Sequence, residues 1–279
     1  MTDKPTSPLL KFQRLPRIYT KIPTNGRWCE HKIEFTSNGE LGVCAMTARD
    51  EMLLRQPDAL LNGDAVVKLV QSCVPAIKNA NNLCVNDVHA LVLAIRLSTY
   101  GDKFQFTSKC PKCNKTNERK VSIRSLLDGL TIVPDNTTVS LHEGNVILVL
   151  KPYTYETATK LQIMEFDSRK RLEYTESRFK DADKDNIELL QSLEKSLRIE
   201  MTNIIQSIGD LSLEMIADCV VQINVVGGVD QNNERIIETV TNKKEINEFI
   251  INVTPEELDK IRDKLTKKKK KNQTHPTHH

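Results

Sequence analysis

Cys110-Pro111-Lys112-Cys113-Asn114 is the one run in this 279-residue chain whose residue types and spacing could do chemistry. Two thiols separated by two residues can occupy two vertices of a tetrahedral metal site. Asn114 tolerates a positive φ, which lets backbone N–H groups turn toward the sulfurs. The runs at 104–108 and 119–123 read as strands on either side, so the pair is expected at the tip of a hairpin, a zinc-ribbon-like knuckle. A redox pair is the rival chemistry, but it usually sits between a strand and a helix, and here both flanks read as strands. Structural zinc takes four ligands and this run supplies two. Cys110 and Cys113 are thus expected as half of a site, with zinc bound only if further donors come from elsewhere in the fold or from another subunit. Cys29, His31 and Cys44 are the nearest other donors, and His142 lies beyond the hairpin. Cys73 and Cys219 sit in apolar runs and are expected in the core.

No second constellation accompanies this pair. Glycine-rich phosphate loops, His-Glu-x-x-His and Gly-x-Ser-x-Gly are all missing from the sequence. His275, His278 and His279 lie at the end of the chain, and His31, His89 and His142 have no neighbouring nucleophile that sequence can defend. No catalytic or cofactor-binding residue is therefore expected, and the chain reads as a non-enzyme.

Charge and hydropathy bound the remaining classes. The 40 Lys+Arg and 37 Asp+Glu give a net charge of +3, but five of the lysines form the run 267–271. Without that run, 35 basic residues face 37 acidic ones, a nearly neutral body that disfavours a basic nucleic-acid-binding domain. Apolar runs such as 146–150 are far shorter than the roughly 20 residues of a membrane span. The first residues, Met1-Thr2-Asp3-Lys4-Pro5, lack the apolar stretch of an export signal. Seven cysteines are an odd number, and with no export signal free thiols or a metal site in a reducing cytoplasm are expected rather than disulfides.

The elements that must position the pair follow from local signals. Residues 1–27, with Pro5, Pro8, Pro16 and Pro23, read as an extended arm. A hairpin is expected from 32–36 to 41–45 around Ser37-Asn38-Gly39. Helices follow at 48–55 behind a Thr47 cap, at 63–74, and from Asn86-Asp87 to Tyr100, where Gly101 ends the last. The Cys110 hairpin comes next, and a turn at Pro134-Asp135-Asn136 marks a domain boundary. The second half opens on a strand at 145–150 and a Thr154-capped helix to about residue 181. A second helix follows with Ile187, Leu190, Leu193, Leu197, Met201, Ile204 and Ile208 on one face. Residues 213–226 are apolar on nearly every side, so period does not separate helix from strand. A turn at 227–230, a strand at 234–240, an Asn242-capped helix and a helix opened by Thr254-Pro255 complete the chain.

The expected fold is α+β and predominantly helical, with a knuckle-bearing hairpin in the first half and a long helical hairpin in the second. The expected divisions are an arm at 1–27, an N-terminal α+β domain at 28–133, a mostly helical domain at 134–266 and a disordered basic tail at 267–279.

The order of motifs between residues 41 and 127 carries a resemblance. It consists of Ala45-Met46-Thr47-Ala48-Arg49-Asp50-Glu51, Cys73-Val74, Asp87, Arg96-Leu97-Ser98-Thr99-Tyr100-Gly101 and the Cys110–Cys113 pair. This order resembles the T-even-type bacteriophage baseplate proteins, the hub subunits and hub-assembly proteins of contractile-tailed phages. The resemblance covers about the first half of the chain. It implies a non-enzymatic structural or assembly protein that works through contacts with other baseplate and tail proteins, or with further copies of itself. It also implies a place in the host cytoplasm during assembly and in the tail baseplate of the virion. The alternative is a zinc-ribbon nucleic-acid-binding protein that uses Cys110, Cys113 and the lysine run; a redox protein centred on the two cysteines ranks behind it.

Overall fold

In a computed structural model, residues 14–111, 113–134, 137–181, 186–229 and 235–270 are described. The chain is mixed α and β, 54% helix and 19% strand. It divides into two compact units, Met1–Val133 and Pro134–His279.

The first unit begins with β1 (Ile18–Thr20), paired antiparallel to β2 (Leu41–Val43) with Ile18 opposite Val43. The expected hairpin between 32–36 and 41–45 is corrected here, because β2 takes its partner from the segment expected as an arm. The turn itself forms, with Gly39 N donating to Thr36 O, but the 32–36 stretch joins no ladder. Its alternation instead directs Ile33 and Phe35 toward Gly26, where a Cβ would lie 3.0 Å from Ile33 Cδ1. Gly26 also has φ +70°, a conformation glycine adopts without penalty.

Helix α1 (Ala48–Leu54) opens on a reciprocal capping box. Thr47 accepts from Asp50 N, and the Asp50 carboxylate accepts from Thr47 N. A short α2 (Pro57–Leu61), not apparent from periodicity, has Pro at its start. α3 (Asp64–Cys73) buries Ala65, Val67, Leu69, Val70 and Cys73, and α4 (Val85–Tyr100) buries Val88, Leu91, Ala94 and Ile95. Gly101, at φ +82°, ends α4. β3 (Lys103–Lys109) and β4 (Thr116–Ser122) form the expected ribbon, with Phe106 opposite Arg119. Ile123 starts α5 (Ile123–Asp128) rather than ending the strand, because Ser122 caps the helix by accepting from Ser125 N.

The second unit is a four-stranded antiparallel sheet in the order β5 (Thr137–Leu141), β6 (Val146–Leu150), β7 (Val220–Val229), β8 (Arg235–Val240). β5 alternates buried and exposed residues, yet its Thr-Thr-Val-Ser-Leu sequence carries only two strong hydrophobes. Between the adjacent strands β6 and β7 the chain leaves the sheet as a helical hairpin, α6 (Tyr155–Asp181) and α7 (Ile187–Cys219). Lys160 and Leu211 line one end of the cleft between these helices, and Arg171 and Glu200 line the other, so the pair is antiparallel. The ambiguous 213–226 stretch resolves into both structures: helix through Cys219, strand from Val220.

One face of the sheet is covered. Leu141, Leu148, Leu150 and Ile223 pack with Ile216 of α7, Ile246 and Ile250 of α8 (Lys243–Asn252) and Ile261 of α9 (Pro255–Lys270). Fully burying one such side chain is worth about 1.5–3 kcal/mol, so this layer is what holds the helices to the sheet. α9 takes in Lys267 to Lys270, while Lys271 and the residues after it lie outside the described residues. Asp135 and Asn136 of the expected boundary turn are outside them too.

Candidate functional site

The motif residues of the first half come together in space. The Met46 N–H donates to Thr99 Oγ1 at 3.0 Å, and the Tyr100 hydroxyl donates to Glu51 Oε1 at 2.8 Å. The segment 45–51 is thus tied to the end of α4 at two points. Thr99 can reach because its hydroxyl also donates back to Ile95 O, the usual bond of a hydroxyl inside a helix. Arg96 lies over the rings of Tyr100 and Phe104, 5.5 and 4.4 Å from their centroids.

A second set of contacts binds the start of the described chain. Arg14 donates to Ala45 O, to Ser72 O and Oγ, to Asp50 Oδ2 at 3.1 Å and to Cys73 Sγ at 2.9 Å. A guanidinium has five N–H donors in a fixed fork, and here they converge on the α1 cap and the end of α3. Burial alone would raise the Asp50 carboxyl, but bonds from Thr47 and Ser72 and the Arg14 charge outweigh it and hold the group below the usual value. Burial pushes the Cys73 thiol up to about 11.

Asp87 makes the third clasp. It is fully buried and accepts the Thr24 N–H at 2.9 Å and the Thr24 hydroxyl. Burial raises its carboxyl to about 6 against the lowering effect of those bonds. Cys29 stands near it, its thiol pushed up to about 11 by burial and by the charges of Asp87 and Glu30. Asp50, Cys73 and Asp87 were visible in the sequence as pattern. Arg14 and Thr24, their partners, were not, since both lie in the Pro-rich segment and act 36 to 63 residues away.

The cysteine pair occupies the tip of the β3–β4 ribbon. Asn114 N donates to Cys110 O, Cys110 N donates to Lys115 O, and Asn114 takes φ +54°, the expected left-handed position. Cys110 is half-buried and Cys113 exposed. The other donors are placed elsewhere. Cys44 is buried, with its N–H on Cys73 O; His31 is exposed; and His142 pairs with Glu257 in the second unit. No group of three or more His, Cys, Asp or Glu side chains among the described residues could hold a metal ion.

The α6–α7 hairpin offers a different surface. Leu193 and Ile204 of α7 are buried, whereas Ile187, Ile199, Met201 and Ile205 are exposed, as is Tyr174 of α6. Exposed apolar side chains of this size are available for burial against a partner. No helix among the described residues is long and apolar enough to cross a membrane.

Residues 29–277 match the model of a family described as T4 bacteriophage base plate protein. No curated protein and no solved structure matches the chain.

Proposed function

The chain belongs to the T4 bacteriophage base plate protein family, and from that premise we propose that it is a hub subunit or hub-assembly protein of a contractile-tail baseplate. It acts by protein–protein contact and catalyses no reaction. The observation that carries this reading is the family match, which spans most of the chain. The clasps made by Arg14, Asp87 and the Thr99–Tyr100 pair support it, because they give the motif residues structural rather than catalytic work.

Its partners are other baseplate and tail proteins, met in the host cytoplasm during assembly and at the tail of the virion. The contact surfaces are the exposed apolar residues of the α6–α7 hairpin and the β3–β4 ribbon. Cys110 and Cys113 supply half of a zinc site at the ribbon tip.

Two measurements test the function. Tagged protein expressed during infection co-purifies with other tail proteins; a monodisperse monomer that captures none of them rejects the reading. Mass spectrometry of mature particles then separates a hub subunit, which is present, from an assembly factor, which is missing.

A further inference from the structure

The β3–β4 ribbon is a two-stranded sheet on its own. Its seven cross-strand pairs run from Lys103–Ser122 to Lys109–Thr116, and among the described residues no third strand joins either edge. From Thr116 to Lys120 every residue of β4 is exposed, so among the described residues this strand has no cover toward the tip. An isolated two-stranded ribbon is marginal in water and needs help from a third strand, a packed helix or a cross-link. At its base the ribbon has α5 and Arg96 of α4; at its tip it has Cys110 and Cys113.

The chain's own cysteines are poor candidates to complete a site there. Cys44, Cys73, Cys84 and Cys219 are buried, and Cys29 stands beside Asp87 on the segment that the Thr24 bonds hold to α4. We propose that the missing ligands are Cys110 and Cys113 of a second copy, so that one zinc on a two-fold axis is held by four thiolates and joins two ribbon tips. This rests on the half-site reading above and extends it.

A second copy fits for two reasons. It carries the same pair in the same geometry, and a two-fold axis through the metal then completes a four-cysteine site, a standard closed structural set. The tip is open, with Cys113 exposed and both ribbon edges unpaired among the described residues, so two tips can meet end to end. Charge makes the pairing depend on the metal. Between residues 103 and 122 the sequence has Lys103, Lys109, Lys112, Lys115, Arg119 and Lys120 against only Glu118, so two bare ribbons repel. Zinc with four thiolates carries a net charge of −2 and offsets that repulsion where it is strongest. The dimer is therefore metal-dependent.

The test uses the full chain, reduced and metal-free, titrated with zinc while mass is followed by light scattering and bound metal is measured. The expected result is one zinc per two chains, a doubling of mass on zinc addition and its reversal by chelator. Cobalt in place of zinc gives the charge-transfer spectrum of four thiolates. Cys113→Ser abolishes metal binding and dimerisation together, and with an exposed side chain it leaves the circular dichroism of the chain unchanged. One zinc per monomer, or a cobalt spectrum with nitrogen ligands from the terminal histidines, overturns the shared site but leaves the half-site standing. No zinc overturns both. A dimer that survives chelation and Cys113→Ser is built elsewhere and also overturns the proposal. None of these outcomes bears on the baseplate role, which the particle analysis decides.

Discussion

The Asp87 carboxylate, fully buried on α4, accepts both the N–H and the hydroxyl of Thr24, and so fixes the 22–29 segment to the first unit. Its folded value of about 6 lies above the ordinary 3.8 because burial disfavours the charge. The folded unit therefore holds this proton more tightly than the unfolded chain. The stability that Asp87 contributes is fully present below the unfolded value and is lost as pH rises through about 6. A displacement of that size corresponds to about 3 kcal/mol. Asp87→Asn keeps the shape and a hydrogen bond to Thr24 without the charge, and is expected to flatten the stability profile between roughly pH 4 and 6. Trp28, the single tryptophan, lies in the clasped segment, so its fluorescence during urea unfolding reads the effect. A slope identical to that of the unaltered chain rejects the assignment.

Asp50 titrates in the opposite sense. Asp50 is held below its ordinary value, so its contribution is present above the unfolded value and is lost as pH falls through the lowered folded one. Arg14→Ala removes the cation and leaves Ala45 O, Ser72 O and Asp50 short of a donor. The expected cost is about 1–3 kcal/mol, with acid unfolding moved to higher pH. Arg14→Lys is expected to recover only part of this, since a point charge cannot reach all the acceptors of a planar fork. Equal stability of the Lys variant and the unaltered chain at pH 7 would contradict the clasp.

Elements with local chemistry of their own were legible in the sequence. Thr47, Thr154, Asn242 and Thr254 cap the helices they were expected to cap, each accepting from a backbone N–H two or three residues on. Gly101 ends α4, and Asn114 takes the positive φ of the ribbon turn. Elements that depend on remote partners were not legible. Ile18–Thr20 is three residues in a Pro-rich stretch, and only its pairing with Leu41–Val43 makes it a strand. The change from helix to strand at Cys219 and Val220 falls where both neighbours are buried on every side, so no periodicity marks it. The clasps share that limit: an arginine in an arm and a carboxylate dozens of residues later reveal nothing of each other until the chain has folded.

Ile204 and Ile205 are neighbours on α7 with different tasks. Ile204 is 9% exposed and faces the cleft against α6, while Ile205 is 69% exposed. Ile204→Ala is expected to cost about 2–5 kcal/mol, read as a lower thermal transition of the helical circular dichroism. Ile205→Ala is expected to change stability by no more than about 0.5 kcal/mol, yet to reduce capture of tail proteins in the co-purification assay. If Ile205→Ala leaves capture intact together with Ile187→Ala and Met201→Ala, the outer side of the hairpin is not the contact surface.

Glu257 joins the start of α9 to the end of β5. Its carboxylate accepts from the His142 N–H at 3.1 Å and from the Thr254 hydroxyl at 3.0 Å, and the His142 backbone bond is the largest influence holding its carboxyl below 4.5. Thr254 in turn caps the helix by accepting from Glu257 N. Thr254→Ala removes both bonds and is expected to cost about 1 kcal/mol, the usual worth of a threonine cap. Hydrogen exchange across 255–261 locates the loss, because α9 is held to the sheet through Ile261 and loosens from its first turn inward. Glu257→Gln keeps an acceptor for the His142 N–H but loses the charge at the helix start, so its deficit is expected at neutral pH and to vanish as pH falls through the lowered Glu257 value. A deficit that persists unchanged in acid would mean that shape, rather than charge, sets the strength of this joint.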